Sequence, residues 1–316
     1  MALLPMDYEI LPPSDDRVFK LLLTSPDSKP VLIDLISAII GQKVSNVEVR
    51  NNEVPPEDTD EKAERLDVNC VTDDGSQVDL EMQASRIEEV SDGNHQNLKG
   101  KSIYYLCDLH SSQSAKGKRR YDKLARTYQV TFCSYTVFPE RVDYLNTYKL
   151  CNVQDGELLS DAIQIVYVEL SKLKEIMKKS VSDMTDMEKW AVFFQYASEP
   201  TERATVNKVI ESKEALQMAG DLLMSISKDE RERAVFRSRR MYQTDLASNL
   251  ATAEDRGERR GIEIGERRGI EIGERRGAQN RSIEIARRML HAGETVEKTV
   301  LYSGLTAEEV EALKNE

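Results

Sequence analysis

Histidine is scarce in this chain of 316 residues: His95, His110 and His291 are all it holds. The four cysteines, Cys70, Cys107, Cys133 and Cys151, are scattered without a CxxC pair, which argues against a structural zinc site or a disulfide framework. Each cysteine sits among apolar residues, the setting expected of a buried, reduced thiol in a cytoplasmic compartment. No HExxH, GxSxG or Walker-type loop occurs, removing the zinc-protease, serine-hydrolase and P-loop readings. The best apolar run, VLIDLISAII, is interrupted by Asp34 and falls short of the roughly 18–20 residues a membrane span requires. The opening MALLPMDYEI lacks the basic-then-apolar order of a secretory signal. The expectation is a soluble, cytoplasmic protein with no membrane partner.

What is present is charge and core together. Acidic residues outnumber basic ones, 56 to 44, for a net charge of -12, while 40% of the chain is apolar and 32% charged. That apolar content supports a real core and excludes wholesale disorder. The charge content points to long solvated helices.

Pro12 and Pro13 precede Ser14, an N-cap candidate for a helix through DDRVFKLLL. A second helix, VLIDLISAII, stops at Gly41. NVEVR alternates as a strand. ERLDVNCVT and SQVDLEMQA flank Asp73-Asp74-Gly75, a hairpin signal. Residues 95–126 read as one or two helices broken near Gly117. YQVTFCSYTVF (128–138), the run near 146–153 and IQIVYVEL (163–170) read as strands, and from about 171 the pattern is helical. The expected organisation is an α/β core over 1–170, a helical region over 171–250, a Gly/Glu/Arg repeat over 251–282 and a small helical hairpin over 283–316.

In the repeat, GERRGIEI occurs twice in tandem from 257, and GERRGA begins a third copy. Interior glycines each cost a helix about 1 kcal/mol relative to alanine, against Glu/Arg pairs at helical spacing worth a few tenths each. A solvated marginal helix or linker and a self-association stalk that makes a homo-oligomer are both compatible with this pattern. In the final hairpin, Gly293 and Gly304 are expected C-caps, and Thr306 with Glu309 a capping box. Its seven glutamates against four basic residues speak against a DNA-reading helix-turn-helix.

The DDG hairpin invites counting. A three-residue loop with Gly75 in the left-handed position pairs Thr72 with Ser76. Asp67 then lies opposite Glu81, with side-chain carbons about 4.5–5.5 Å apart. Val68, Cys70, Val78, Leu80 and Met82 take one face; Asp67, Asn69, Asp79, Glu81 and Gln83 take the other. Two opposed carboxylates repel unless a cation lies between them, and Mg²⁺ suits an oxygen site of one or two carboxylates plus water and phosphate. The same pattern also suits a hairpin whose acids merely face solvent.

The D-x(13)-E-x-Q spacing resembles the PD-(D/E)xK nuclease superfamily. More narrowly, PPSDDRVFK, RLDVNCVTDDGSQVDLEMQ, KSIYYLCDLHSSQSAKGKRRYDKLARTYQVTF, EKWAVFF and the repeat tail resemble the Rpn-type family of recombination-promoting nucleases and transposases. The resemblance implies a restriction-endonuclease-like αβββαβ core followed by a C-terminal all-helical region. It implies Mg²⁺-dependent hydrolysis of DNA phosphodiesters in recombination or transposition, the alternative being a nuclease-like protein that binds nucleic acid or a protein without cutting. Carried over, Asp67 and Glu81 are the metal-binding acids, Gln83 holds the place usual for lysine, and Asp16 matches an acid on the first helix. Lys20 is a phosphate contact or an i,i+4 partner of Asp16. Lys101 stands where the family more often has arginine.

Between residues 99 and 126, eight basic residues (Lys99, Lys101, Lys116, Lys118, Arg119, Arg120, Lys123 and Arg126) accompany only two acids. This window reads equally as a nucleic-acid contact within an otherwise acidic chain or as a solvated helix face. Tyr104, Tyr105, Tyr121 and Tyr128 are interleaved with it and are expected mostly in the core.

Overall fold

The computed structural model describes residues 3–50, 68–84, 96–113 and 121–314. It divides into two compact units, Met1–Gln243 and Thr244–Glu316.

The first unit is built on a six-stranded mixed sheet in the order β1-β2-β3-β4-β6-β5, with β1 Val47–Val49, β2 Val68–Thr72, β3 Gln77–Gln83, β4 Thr127–Cys133, β5 Leu145–Cys151 and β6 Leu158–Glu169. β1, β2 and β3 pair antiparallel. β3, β4 and β6 run parallel, and β5 pairs antiparallel to β6. A parallel β3–β4 neighbourhood demands a crossover, and α3 (Gln96–Ser112) lies between these strands in the chain.

The hairpin follows the counted register. Thr72 donates its N–H to Ser76 O at 3.0 Å, Gly75 N–H reaches Thr72 O at 2.9 Å, and Gly75 sits at φ 85°, a backbone that glycine alone adopts freely. Four rungs follow, from Val71↔Gln77 through Cys70↔Val78 and Asn69↔Asp79 to Val68↔Leu80. The next rung would contain Asp67, which lies outside the described residues.

Period-2 alternation gives the sheet two unlike faces. Val78, Leu80, Val130, Phe132 and Val168 are completely buried against α1 (Asp16–Thr24), α2 (Lys29–Ile40), α4 (Asp186–Tyr196) and α6 (Glu214–Lys228). Phe19, Phe132 and Phe194 meet with ring centroids 5.2–5.5 Å apart. Trp190 donates its ring N–H to Asp34 Oδ2 at 2.9 Å, so the one acid in the apolar run of α2 has a buried-side partner. The helices of 186–228, α5 (Arg203–Glu211) among them, belong to this same core.

Several local expectations are corrected. α1 is capped by Asp15, whose carboxylate accepts from Arg17 N at 3.0 Å and Val18 N at 3.1 Å, not by Ser14. β4 ends at Cys133 because the Glu169 carboxylate captures the N–H groups of Val137 at 2.6 Å and Phe138 at 3.0 Å, taking that segment out of the ladder. Cys70 and Cys133 are buried, but Cys107 and Cys151 are exposed. Tyr128 is buried as expected, whereas Tyr104 and Tyr121 are 66% and 71% exposed. Gly117, the expected break, lies outside the described residues.

The long helix α7 (Glu230–His291) starts in the first unit; in the second, its part from Thr244 onward carries the glycine repeat and is followed by α8 (Val296–Ser303) and α9 (Ala307–Lys314). Ala286, Leu305 and Val310 form its small buried core. Gly293 and Gly304 adopt positive φ, and Thr306 and Glu309 exchange capping-box hydrogen bonds. Among the described residues, no helix is long and apolar enough to cross a membrane.

Candidate nuclease site

The polar face of β3 is covered, which is what separates it from an ordinary wet hairpin. Asp79 and Glu81 are only 3% and 4% exposed. Parallel pairing sets Asp79 beside Gln129, Glu81 beside Thr131 and Gln83 beside Cys133. β6 continues these rows with Ile165, Tyr167 and Glu169. α3 lies across this surface with Leu98, Ser102 and Leu106 buried. Its C-terminal end is pinned by Gln113, which accepts from Ala125 N at 2.8 Å and donates to Thr127 Oγ1 at 2.8 Å.

From α3, Lys101 reaches down and donates its ammonium to Glu81 Oε1. The Glu81 side chain is 6% exposed and that of Lys101 36%, so the pair joins a buried acid to the surface. Charge-assisted pairs of this kind are strong because the low-dielectric side leaves little screening. Next to them, Gln129 and Thr131 are wholly buried, yet both amide atoms of Gln129 and the Thr131 hydroxyl lack a hydrogen-bond partner among the described residues. Leaving such groups unsatisfied costs about 1–3 kcal/mol each; native proteins normally supply water or a ligand oxygen there. Burial pushes the Tyr167 hydroxyl up to about 12, with Ser102 opposing and the Glu81 charge reinforcing the shift. Tyr167 is therefore a neutral hydroxyl in the field of Glu81.

Of the expected site residues, the structure brings Glu81 and Lys101 together and sets Gln83 two positions further along the same face. Asp16 lies on α1, which packs against the opposite, apolar face through Phe19. Its carboxylate is paired with Arg239 at 2.8 Å, so the ion pair expected with Lys20 is not formed. Lys20 is 1% exposed, buried rather than open to phosphate. Lys99 sits over the Phe138 ring, 4.9 Å from its centroid. Asp67, Lys118, Arg119 and Arg120 lie outside the described residues. Gln129, Thr131 and Tyr167 are neighbours that sequence reading missed; their alternation with Val130, Phe132, Val166 and Val168 is the signal that marks them as one face.

The model of the PD-(D/E)XK nuclease family transposase matches residues 13–253. The chain belongs to that family. The match runs from α1 into α7 and includes every strand of the sheet. The mixed α/β fold is consistent with this nuclease family, which acts on DNA with divalent metal ions. No curated protein and no solved structure matches the chain.

The donor chemistry suits such an ion: Asp79 and Glu81 offer carboxylates, Gln129 and Thr131 neutral oxygens, all hard ligands. Among the described residues, no group of three or more His, Cys, Asp or Glu side chains converges on one point.

Proposed function

We propose that the chain is a Mg²⁺-dependent DNA endonuclease of the Rpn type, acting in recombination or transposition, with its centre at Glu81. The observation that carries this reading is the covered Glu81–Lys101 pair on the strand where the family's second acid is expected. The αβββαβ core is then the succession from α1 through β1, β2, β3 and α3 to β4.

In this reading, Glu81 and Asp67 hold the ion, Asp67 being the residue that precedes the last described rung, Val68↔Leu80. The bound ion supplies a Lewis acid for the scissile phosphate and a water of lowered pKa. Glu81 is paired with the ammonium of Lys101. Lys101, cationic and partly open to solvent, stabilises negative charge gathering on the phosphate. It thereby supplies from α3 the charge that Gln83 cannot supply from β3. Gln83 orients the attacking water or a phosphate oxygen by hydrogen bonding, and Tyr167 donates as a neutral hydroxyl.

A second reading, a nuclease-like core that binds without cutting, is favoured by Gln83 in the lysine position. Nicking of supercoiled DNA with Mg²⁺ separates the two. Glu81→Gln and Asp67→Asn are each expected to abolish product; wild-type rates in both variants would remove the centre from Glu81.

A further inference from the structure

The outer side of α3 carries apolar groups that are exposed among the described residues. Ile103 is 53% exposed and Tyr104 66%, and Gly100 and Cys107 are exposed on the same flank, following the i, i+3, i+4, i+7 spacing that makes one helix face. This face is joined by contacts to the buried acid. The Tyr104 and Tyr105 rings meet edge-on with centroids 5.7 Å apart. The Lys101 ammonium lies 5.6 Å from the Tyr105 centroid and pairs with Glu81. A line of four side chains thus runs from Glu81 to an open aromatic ring.

From this continuity we infer that the α3 face is a stacking platform for unpaired bases of a DNA strand whose phosphate lies at Lys101. The inference rests on the proposed nuclease centre and adds its substrate class, single-stranded or locally opened DNA. Continuity with the proposed centre favours that occupant over an apolar protein segment: the platform begins beside Lys101, which is a third exposed and touches Glu81. A phosphate drawn to Lys101 leaves its attached bases within reach of Tyr104. An unpaired base can turn a face to a tyrosine, whereas base pairs inside a duplex are already stacked on both faces. The exposed rings that fail as core residues fit this task.

The test is equilibrium binding of the full chain, followed by fluorescence anisotropy in EDTA so that no cleavage is needed. The probes are a labelled oligothymidylate and a blunt duplex of equal length. The wild type is expected to bind the single strand more tightly than the duplex. Tyr104→Ala weakens single-strand binding roughly 5- to 150-fold, the loss one stacked base represents, and leaves duplex binding unchanged. Tyr104→Phe, which keeps the ring, stays within about twofold of wild type. An unaltered single-strand affinity in Tyr104→Ala would overturn the proposal. So would equal loss in Tyr104→Phe, equal affinity of the wild type for both probes, or no binding of either. The nicking assay on Glu81→Gln reads the other claim: cleavage lost there with Tyr104 inert refutes stacking alone, and Tyr104-dependent binding without cleavage in any protein refutes the nuclease centre alone.

Discussion

Glu81 on β3 and Lys101 on α3 form an ion pair across the seam between the sheet and its crossover helix. Removing one partner of a fully buried pair costs about 3–5 kcal/mol, but Lys101 is about a third exposed, and solvent screening lowers its share. Lys101→Met is expected to cost about 2 kcal/mol in urea unfolding, Lys101→Arg much less. The double variant Glu81→Gln/Lys101→Met should be less destabilised than the summed singles by about 1 kcal/mol or more. Strict additivity in that cycle would show the two groups to be uncoupled.

Asp15 gives the chain a pH dependence with a definite sign. Burial first, and the Asp16 charge second, raise its carboxyl from 3.8 to about 6, with Arg239 opposing. A folded pKa above the unfolded one means that the folded state binds the proton more tightly. The resulting stability is complete below about pH 4 and fades as pH rises through about 6. Asparagine caps as well as aspartate and carries no charge, so Asp15→Asn should exceed wild type by about 3 kcal/mol at pH 7 and match it near pH 4. Urea midpoints measured across pH 4–8 check this; parallel curves for the two proteins would refute it.

Glu169 acts as a buried knot at the end of β6. It is wholly buried and accepts from Val137 N, Phe138 N and, at 3.1 Å, Asn146 Nδ2, while Lys172 Nζ pairs with it at 2.7 Å. Glu169→Gln sets an amide NH₂ among these donors and leaves the Lys172 charge unmatched. The expected cost is about 3–5 kcal/mol by urea unfolding, with faster amide exchange at Val137 and Phe138. A change under about 1 kcal/mol would mean that the loop is held by its apolar contacts instead.

The hairpin register was legible because Gly75 and strict alternation leave one solution: a slip of one residue would turn Val78 and Leu80 out of the core. What alternation could not tell was whether the other face is wet or covered. Asp79, Glu81, Gln129 and Thr131 look in sequence like solvent-facing residues, and only the packing of α3 makes them a buried row. Lys101 meets Glu81 through the crossover, a contact between residues 20 apart that no local pattern specifies. The shortening of β4 was illegible for the same reason, since Glu169 acts on Val137 from 32 residues away. Asp16 and Lys20, four residues apart, suggested a local pair, yet α7 offers Arg239 instead. Local chemistry fixed caps and turns, and long-range contacts decided the surroundings of the acids.

The glycine row in α7 tests which of its two readings is right. Gly257, Gly261, Gly265, Gly269, Gly273 and Gly277 all lie within the helix with no atom near the place a Cβ would take. Ile262, Ile264, Ile270 and Ile272 are each more than half exposed beside them. Ion pairs such as Glu263–Arg267 at 2.9 Å and Glu271–Arg275 at 3.2 Å are highly exposed and add little. If the helix is solitary, alanine at Gly261, Gly265 and Gly269 meets no obstruction and stabilises it by about 1 kcal/mol per site. Amide exchange across 254–290 should then slow while the solution mass of the full chain stays constant. If instead the glycines let a second helix approach closely, the added methyl groups stand in its way. The triple variant would then lose mass by light scattering even as its own helix gains strength. The two readings predict opposite behaviour of mass from one set of substitutions, so the measurement decides between a lone helix and a stalk.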